Sequence, residues 1–399
     1  MNLIFLSEHF DPITGGTTTY VKETCAAVGQ LVNSLQLWVP SDLPAGERSI
    51  HNQGHYTVVK IGIGVDIQKN FLRSKRYLFC ELVNEYLRSS QEELSGVHVL
   101  YGLFLAEKLD IAHLRFRGAR VGLTVHNVPP LECGISWRED SFFHYRLDRL
   151  RLWGVRWYNR RRLVRSLFDY YVVPSNPVKQ LLSKWIPENK IRVIGHGFST
   201  SVREASLKRR SSSQEEKKII RILTVGGIVP HKNQHLIPQV GVLLRNWGIE
   251  YRWTIVGPSR NQRYDRFVRR QIEHFDQGDR IRVLGTVSQE ELWENYQEAD
   301  IYVQPSAEEG FCMTALDAAL FCLPIVGTPV GAIPELIDRS GKGILTELHV
   351  PSIAESIRHW HSMNLSSAKE RQDDNLRDDL IGLFSWEKSA GKLLKCLME

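Results

Sequence analysis

Two carboxylates, Glu309 and Asp317, stand eight positions apart in the stretch PSAEEGFCMTALDAALFCLPIVGTPVGAIPE, residues 305–335. Pro305 and Gly310 punctuate a loop, residues 311–321 carry no Gly or Pro and read as a mostly apolar helix, and 324–327 reads as a short buried strand. Glu309 therefore falls at a loop-to-helix junction. On a helix, eight residues span roughly 12 Å at about 1.5 Å per residue. Two acids so spaced can hold both ends of one ligand.

The elements that would position such a ligand recur along the chain. Asn2–Ser7 is a short apolar strand, Asp11-Pro12 and Gly15-Gly16 form a turn, and a helical pattern runs from Thr17 through Tyr20, Val21, Cys25 and Val28. Strand, glycine loop and helix together let backbone N–H groups at a helix N-terminus approach an anion. Residues 219–225 are a β-branched run that reads as a buried parallel strand; it ends in Gly226-Gly227, and Lys232 follows just before a helix. Residues 121–125 end in the polar pair His126-Asn127, at the carboxyl end of an apolar strand, where open α/β sheets bind ligands. Further strands are expected at 170–175 and 191–197, with His196-Gly197 closing the second.

Strand-like runs alternate with helical patterns over 1–198 and again over 219–380, so the fold class is α/β in two similar halves. Between them, 199–218 is polar and rich in Ser, Lys and Glu, the composition of a linker or exposed excursion. A chain of 399 residues with 42% hydrophobic content can bury more than one core. No run of about 18 apolar residues suggests a transmembrane span, and the N-terminus enters a strand without a signal-peptide pattern, so a cytoplasmic location is expected. Cys25, Cys80, Cys133, Cys312, Cys322 and Cys396 are scattered without metal-ligand spacing, which predicts free thiols and no metal site.

Charge is unevenly placed. Residues 1–200 hold 25 Lys+Arg against 18 Asp+Glu, and the remainder 26 against 27. The surplus traces to 144–168, with eight Arg against one Asp, where Leu150, Trp153, Trp157, Val164 and Phe168 fall near one helical face. Gly154 interrupts that face, and a helix packed on the core with a solvated basic side fits as well as an interfacial helix at an anionic membrane. Arg156, Trp157, Arg160, Arg161 and Arg162 are the residues expected at a membrane or acceptor surface. No nucleic-acid-binding motif accompanies them.

Taken together, these segments resemble family 4 of the retaining, nucleotide-sugar-dependent glycosyltransferases. The resemblance covers nearly the full length and is strongest over 219–337, where E-x7-D stands in place of the family's E-x7-E. It implies the GT-B fold: an acceptor-side Rossmann-like domain over 1–198, a linker at 199–218, a donor-binding Rossmann-like domain over 219–380 facing the first across a cleft, and a C-terminal helix, 381–399, that crosses back to the first domain. It implies that Glu309 contacts the donor sugar near the reacting carbon and that Asp317, one methylene shorter than Glu, binds the ribose. His126 would line the sugar, and Lys232, with Gly15, Gly16, Gly226, Gly227, Gly310, Phe311, Cys312 and Met313, would complete the donor site. Gly227 occupies the place where the family usually carries an Arg on the diphosphate, leaving His231, Arg260 or Arg263 to supply that charge.

The implied activity is a metal-independent hexosyl transfer, with no cofactor beyond a nucleoside diphosphate sugar as donor. No D-x-D for a metal-bridged diphosphate occurs. The acceptor would be lipid-linked or a glycan, in polysaccharide or glycolipid synthesis, on a protein peripheral to the inner membrane face. A soluble transferase acting on a small metabolite or protein, a same-fold epimerase and a non-catalytic sugar-nucleotide-binding protein are the alternatives.

Overall fold

The computed structural model describes residues 1–11, 15–65, 73–128, 168–207, 219–364 and 374–399, together with 154, 160 and 161. These fall into two compact units, one of residues 1–128, 154–197 and 384–399 and the other of residues 198–383.

The first unit is built on β1 (Asn2–Ser7), β2 (Ser34–Ser41), β3 (Arg48–Asn52), β4 (Thr57–Gly62), β5 (Gly96–Tyr101), β6 (Arg120–Thr124), β7 (Tyr170–Val173) and β8 (Ile191–Val193). They lie in the order β3-β4-β2-β1-β5-β6-β7-β8. Every pair is parallel except β3 with β4. Parallel strands joined by helices are covered on both faces, so they read as unbroken apolar runs; β1 buries its last five residues and β7 all four. The helix Gly16–Gly29 follows β1, and the helix Trp386–Met398 packs on it and on β6. The C-terminal segment is thus part of the first unit. Ser385 caps it by accepting from the Lys388 N–H, Ser389 Oγ donates to the Gly195 carbonyl at 2.6 Å, and a Cβ on Gly197 would meet the Trp386 nitrogen at 2.3 Å.

The second unit carries β9 (Ile220–Val225), β10 (Tyr251–Val256), β11 (Ile281–Gly285), β12 (Ile301–Gln304), β13 (Ile325–Gly327) and β14 (Gly343–Leu345) in the order β11-β10-β9-β12-β13-β14. All pairs are parallel. Strand order reverses between β9 and β12, the switch point outside which doubly wound sheets bind ligands. The polar stretch after residue 198 begins with a helix, Thr200–Leu207, that buries Val202, Ala205 and Ser206 and packs on the helices Gln289–Glu298 and Met313–Leu320. Three inward positions on two turns are enough to dock it, a signal that the surrounding Ser and Lys hide.

Candidate active site

Lys232 and Glu309 leave the carboxyl ends of β9 and β12, the two strands that flank the switch point, and they meet. Lys232 Nζ donates to Glu309 Oε1 at 2.5 Å. Ser306 Oγ donates to the same oxygen at 2.7 Å and Gln304 Nε2 at 3.3 Å. Gln304, fully buried, is fixed in turn by the Tyr302 hydroxyl, which donates to its amide oxygen at 2.6 Å. Three donors on Oε1 orient the carboxylate, and no hydrogen bond reaches Oε2 from the described residues. One oxygen is thus anchored and the other is left without a protein partner among the described residues.

The two loops are stitched by backbone contacts. Asn233 Nδ2 donates to the Pro305 carbonyl at 3.1 Å, and the Ala307 N–H to the His231 carbonyl at 2.8 Å. Burial by itself lowers the Lys232 ammonium, but the attraction and hydrogen bond of the Glu309 carboxylate, together with Cys312, more than offset it and the net shift is upward. Burial also lowers His231, so it stays neutral beside the lysine. A Cβ on Gly226 would stand 3.4 Å from Lys232 Nζ, and Gly226 has φ +151°. Its missing side chain leaves the path of the lysine open.

Gly227 faces Arg260. The loop after β10 runs alongside the loop after β9, with the Ile228 N–H donating to the Pro258 carbonyl at 2.9 Å. A Cβ at 227 would lie 3.0 Å from Arg260 Cγ. Of the three residues expected to supply the second cation, Arg260 is the one whose stem occupies the place of a side chain at 227. His231 is neutral, and no such contact is seen for Arg263.

The helix carrying the second carboxylate starts at Met313, not at 311. Cys312 adopts φ +77° as its N-cap, a left-handed conformation that a helix cannot include. The eight-residue helical span between Glu309 and Asp317 is therefore absent; Glu309 lies in the preceding loop and only 313–317 is helical. Gly310 is half-buried, while Phe311 and Cys312 are buried. Asp317 is half-buried on the helix, its carboxyl makes no hydrogen bond or ion pair among the described residues, and burial pushes it up to about 7. Gly331 closes the loop from behind. At φ +58°, its Cβ would stand 2.6 Å from the Phe311 carbonyl and 2.8 Å from Glu309 Cβ. Gln304, Ser306 and Gly331 went unassigned by sequence, although Ser306 and Gly331 lie inside the quoted motif.

In the first unit, exposed Gly15 precedes the helix that Gly16 opens, with φ +139°. Tyr20 on that helix meets the His126 ring edge-on at 4.7 Å between centroids. His126 Nε2 lies 2.9 Å from the Leu100 carbonyl, which can only accept. Nε2 therefore carries the proton and Nδ1 is the acceptor. Burial lowers this imidazole to about 4, so it is neutral at pH 7. The fully buried Glu8, unassigned by sequence, directly follows β1 and accepts from the Leu105 N–H at 2.7 Å.

Arg160 and Arg161 are exposed; Arg156, Trp157 and Arg162 lie outside the described residues. Among the described residues no group of three or more His, Cys, Asp or Glu could hold a metal ion, and no helix is long and apolar enough to cross a membrane.

Two open α/β sheets in one chain are the architecture of the GT-B glycosyltransferases, and the family models assign the chain to that class. The family model for Glycosyltransferase Family 4 matches residues 14–202 and that for Glycosyl transferases group 1 matches 205–378, and the chain belongs to the family 4 glycosyltransferases. It is 25% identical over 252 residues to the MMP alpha-(1->4)-mannosyltransferase of Mycolicibacterium hassiacum, covering 59% of this chain and 56% of that one. It is 28% identical over 123 residues to a subunit of the human phosphatidylinositol N-acetylglucosaminyltransferase, covering 31% of this chain and 25% of the relative. The chain thus spans little more than half the length of one curated relative and a quarter of the other. The crystal structure of HepE from Anabaena, in complex with UDP, superposes over 100% of both chains with a TM-score of 0.66 at 15% identity.

Proposed function

We propose that this protein transfers a sugar, with retention, from a nucleoside diphosphate sugar to a lipid-linked or glycan acceptor at the cytoplasmic membrane face, in polysaccharide or glycolipid synthesis. One observation carries the proposal: the Lys232–Glu309 pair at the switch point of the second sheet, with one carboxylate oxygen anchored by three donors. The UDP bound to HepE and the phosphatidylinositol in the human relative's name support the donor class and a lipid acceptor.

In this reading the donor diphosphate takes Lys232 as its cation, with Arg260 across Gly227 and the first-turn N–H groups of the helix Met313–Leu320. The sugar takes Glu309 Oε2, and Asp317 takes the ribose. As the bond from the anomeric carbon to the diphosphate breaks, negative charge grows on the leaving phosphate beside Lys232, and positive charge on the sugar beside Glu309. The acceptor hydroxyl attacks from the face the diphosphate leaves and passes its proton to the departing phosphate oxygen, and no protein nucleophile takes part. The reading keeps His126, neutral with Nδ1 as acceptor, and the Gly15-Gly16 loop in the donor-binding roles that the family resemblance implies.

Incubating the protein with a panel of nucleotide sugars and a polyprenyl phosphate sugar or glycan acceptor tests this. Acceptor-dependent release of nucleoside diphosphate in EDTA, with the anomeric configuration kept in the product, is expected. Donor binding without turnover on any acceptor would leave a sugar-nucleotide-binding protein. Flotation with anionic vesicles separates the membrane reading from that of a soluble acceptor: wild type should float, and Arg160→Glu/Arg161→Glu/Arg162→Glu should not.

A further inference from the structure

At the opposite end of the second sheet, four arginines gather on one face. Arg221 on β9 is the register partner of Arg252 on β10, and Thr254 on β10 is the partner of Arg282 on β11. Arg280 directly precedes β11, one step before the Trp253–Ile281 pair, which sets it opposite Arg252. Register partners in a parallel ladder project to the same face, so these side chains stand on the face opposite the buried Ile222, Trp253 and Ile281. They line a cavity of about 190 Å³ with Asn295 and Glu298. Arg221 is the second residue of β9, and Gly226 follows the end of the same strand. The cavity is therefore roughly 16 Å from the donor loop at about 3.3 Å per residue.

Like charges on neighbouring strands repel, at a cost to the sheet unless a counter-charge is supplied. Two of the four have one. Arg221 reaches Glu298 at 3.2 Å and Arg280 reaches Asp279 at 2.9 Å. The guanidiniums of Arg252 and Arg282, both exposed residues, make no hydrogen bond or ion pair with the described residues. Adjacent strands lie about 4.8 Å apart, so two guanidiniums one strand and two positions apart can close on one small tetrahedral anion. Their planar forks match phosphate oxygens two at a time, which a single ammonium cannot do.

We infer that this arginine-lined cavity is a second anion site, which takes a phosphate-bearing ligand between Arg252 and Arg282. It is separate from the donor site and does not depend on the transfer reaction proposed above. The phosphate belongs either to a small soluble compound or to a lipid headgroup.

Calorimetric titration of the full chain with inorganic pyrophosphate at low salt tests the site, using wild type, Lys232→Ala and Arg252→Gln/Arg282→Gln. Binding should persist in Lys232→Ala and weaken at least about tenfold in the double variant, as expected when charge-assisted bonds are lost. Arg252→Lys/Arg282→Lys, which keeps the charge without the fork, should fall between, and an unchanged melting temperature in both doubles shows that the fold is kept. Wild-type affinity in the Gln double variant, or no pyrophosphate binding by wild type in excess of what Lys232→Ala removes, would overturn the proposal. Sedimentation with phosphatidylglycerol vesicles, and with phosphatidylcholine as control, identifies the source. Pyrophosphate reducing the vesicle binding of wild type but not of the Gln double variant points to a headgroup; vesicle binding that pyrophosphate leaves unchanged in both, alongside pyrophosphate binding lost in the double variant, points to a soluble phosphate.

Discussion

Lys232 Nζ and Glu309 Oε1 are 2.5 Å apart, and their side chains keep only 13% and 10% of their exposure. Each therefore compensates a charge that the other would leave buried and alone. Lys232→Met should lower stability by about 3 kcal/mol, because breaking a buried pair costs more than replacing it. Adding Glu309→Gln should recover most of that loss without recovering activity. Urea denaturation of the two variants checks the coupling; losses that simply add would mean the pair is solvated.

Arg260 lies across Gly227 and provides the second cation for the diphosphate in this reading. Arg260→Ala should weaken nucleoside diphosphate binding by about 1.5 kcal/mol, the lower end for a charge-assisted contact because Arg260 is exposed. Gly227→Arg added to Arg260→Ala should restore part of the affinity, since the freed space then accepts a side chain at 227. Titration of the three proteins with UDP and GDP reads both effects.

The strands were legible because buried parallel strands are continuous apolar runs; the contact of Lys232 with Glu309 was not, since the two are 77 residues apart and each was assigned to a ligand rather than to the other. The start of the helix at Met313 was not, since nothing in the type of Cys312 announces a left-handed backbone; only contacts with the rest of the loop select it. Gln304 and Ser306 read as ordinary polar residues until tertiary packing turns them toward Glu309. The arginine face was hidden for a similar reason. Arg221, Arg252 and Arg282 are far apart in sequence, and register alone brings them together.

Gly331 has no room for a side chain. With φ +58° and a Cβ position 2.6 Å from the Phe311 carbonyl, Gly331→Ala should cost about 1–3 kcal/mol of stability. It should also lower kcat at temperatures well below melting, because the second contact of that Cβ is Glu309 Cβ. Wild-type kcat with reduced stability would show that the loop shift does not reach the carboxylate.

Asp317 gives the site a pH dependence. Burial raises its carboxyl from an ordinary 3.8 to about 7 in the folded chain. The folded state holds this proton more tightly, so the contribution to stability is full below about pH 4 and is lost as pH rises through about 7. Ribose hydroxyls donate better to the ionised form, so donor affinity should rise over the same upper range, from pH 6 to 8. Asp317→Asn should flatten both profiles; measuring melting temperature and donor affinity from pH 5 to 8 checks them.

Glu309 carries the central claim, that a carboxylate anchored through one oxygen stabilises charge at the anomeric carbon. The most direct measurement is single-turnover nucleoside diphosphate release by Glu309→Gln at saturating donor and acceptor, beside wild type and with melting cooperativity verified. The expected result is a fall in rate of roughly a hundredfold or more, with donor affinity changed far less. Release at the wild-type rate would contradict the account.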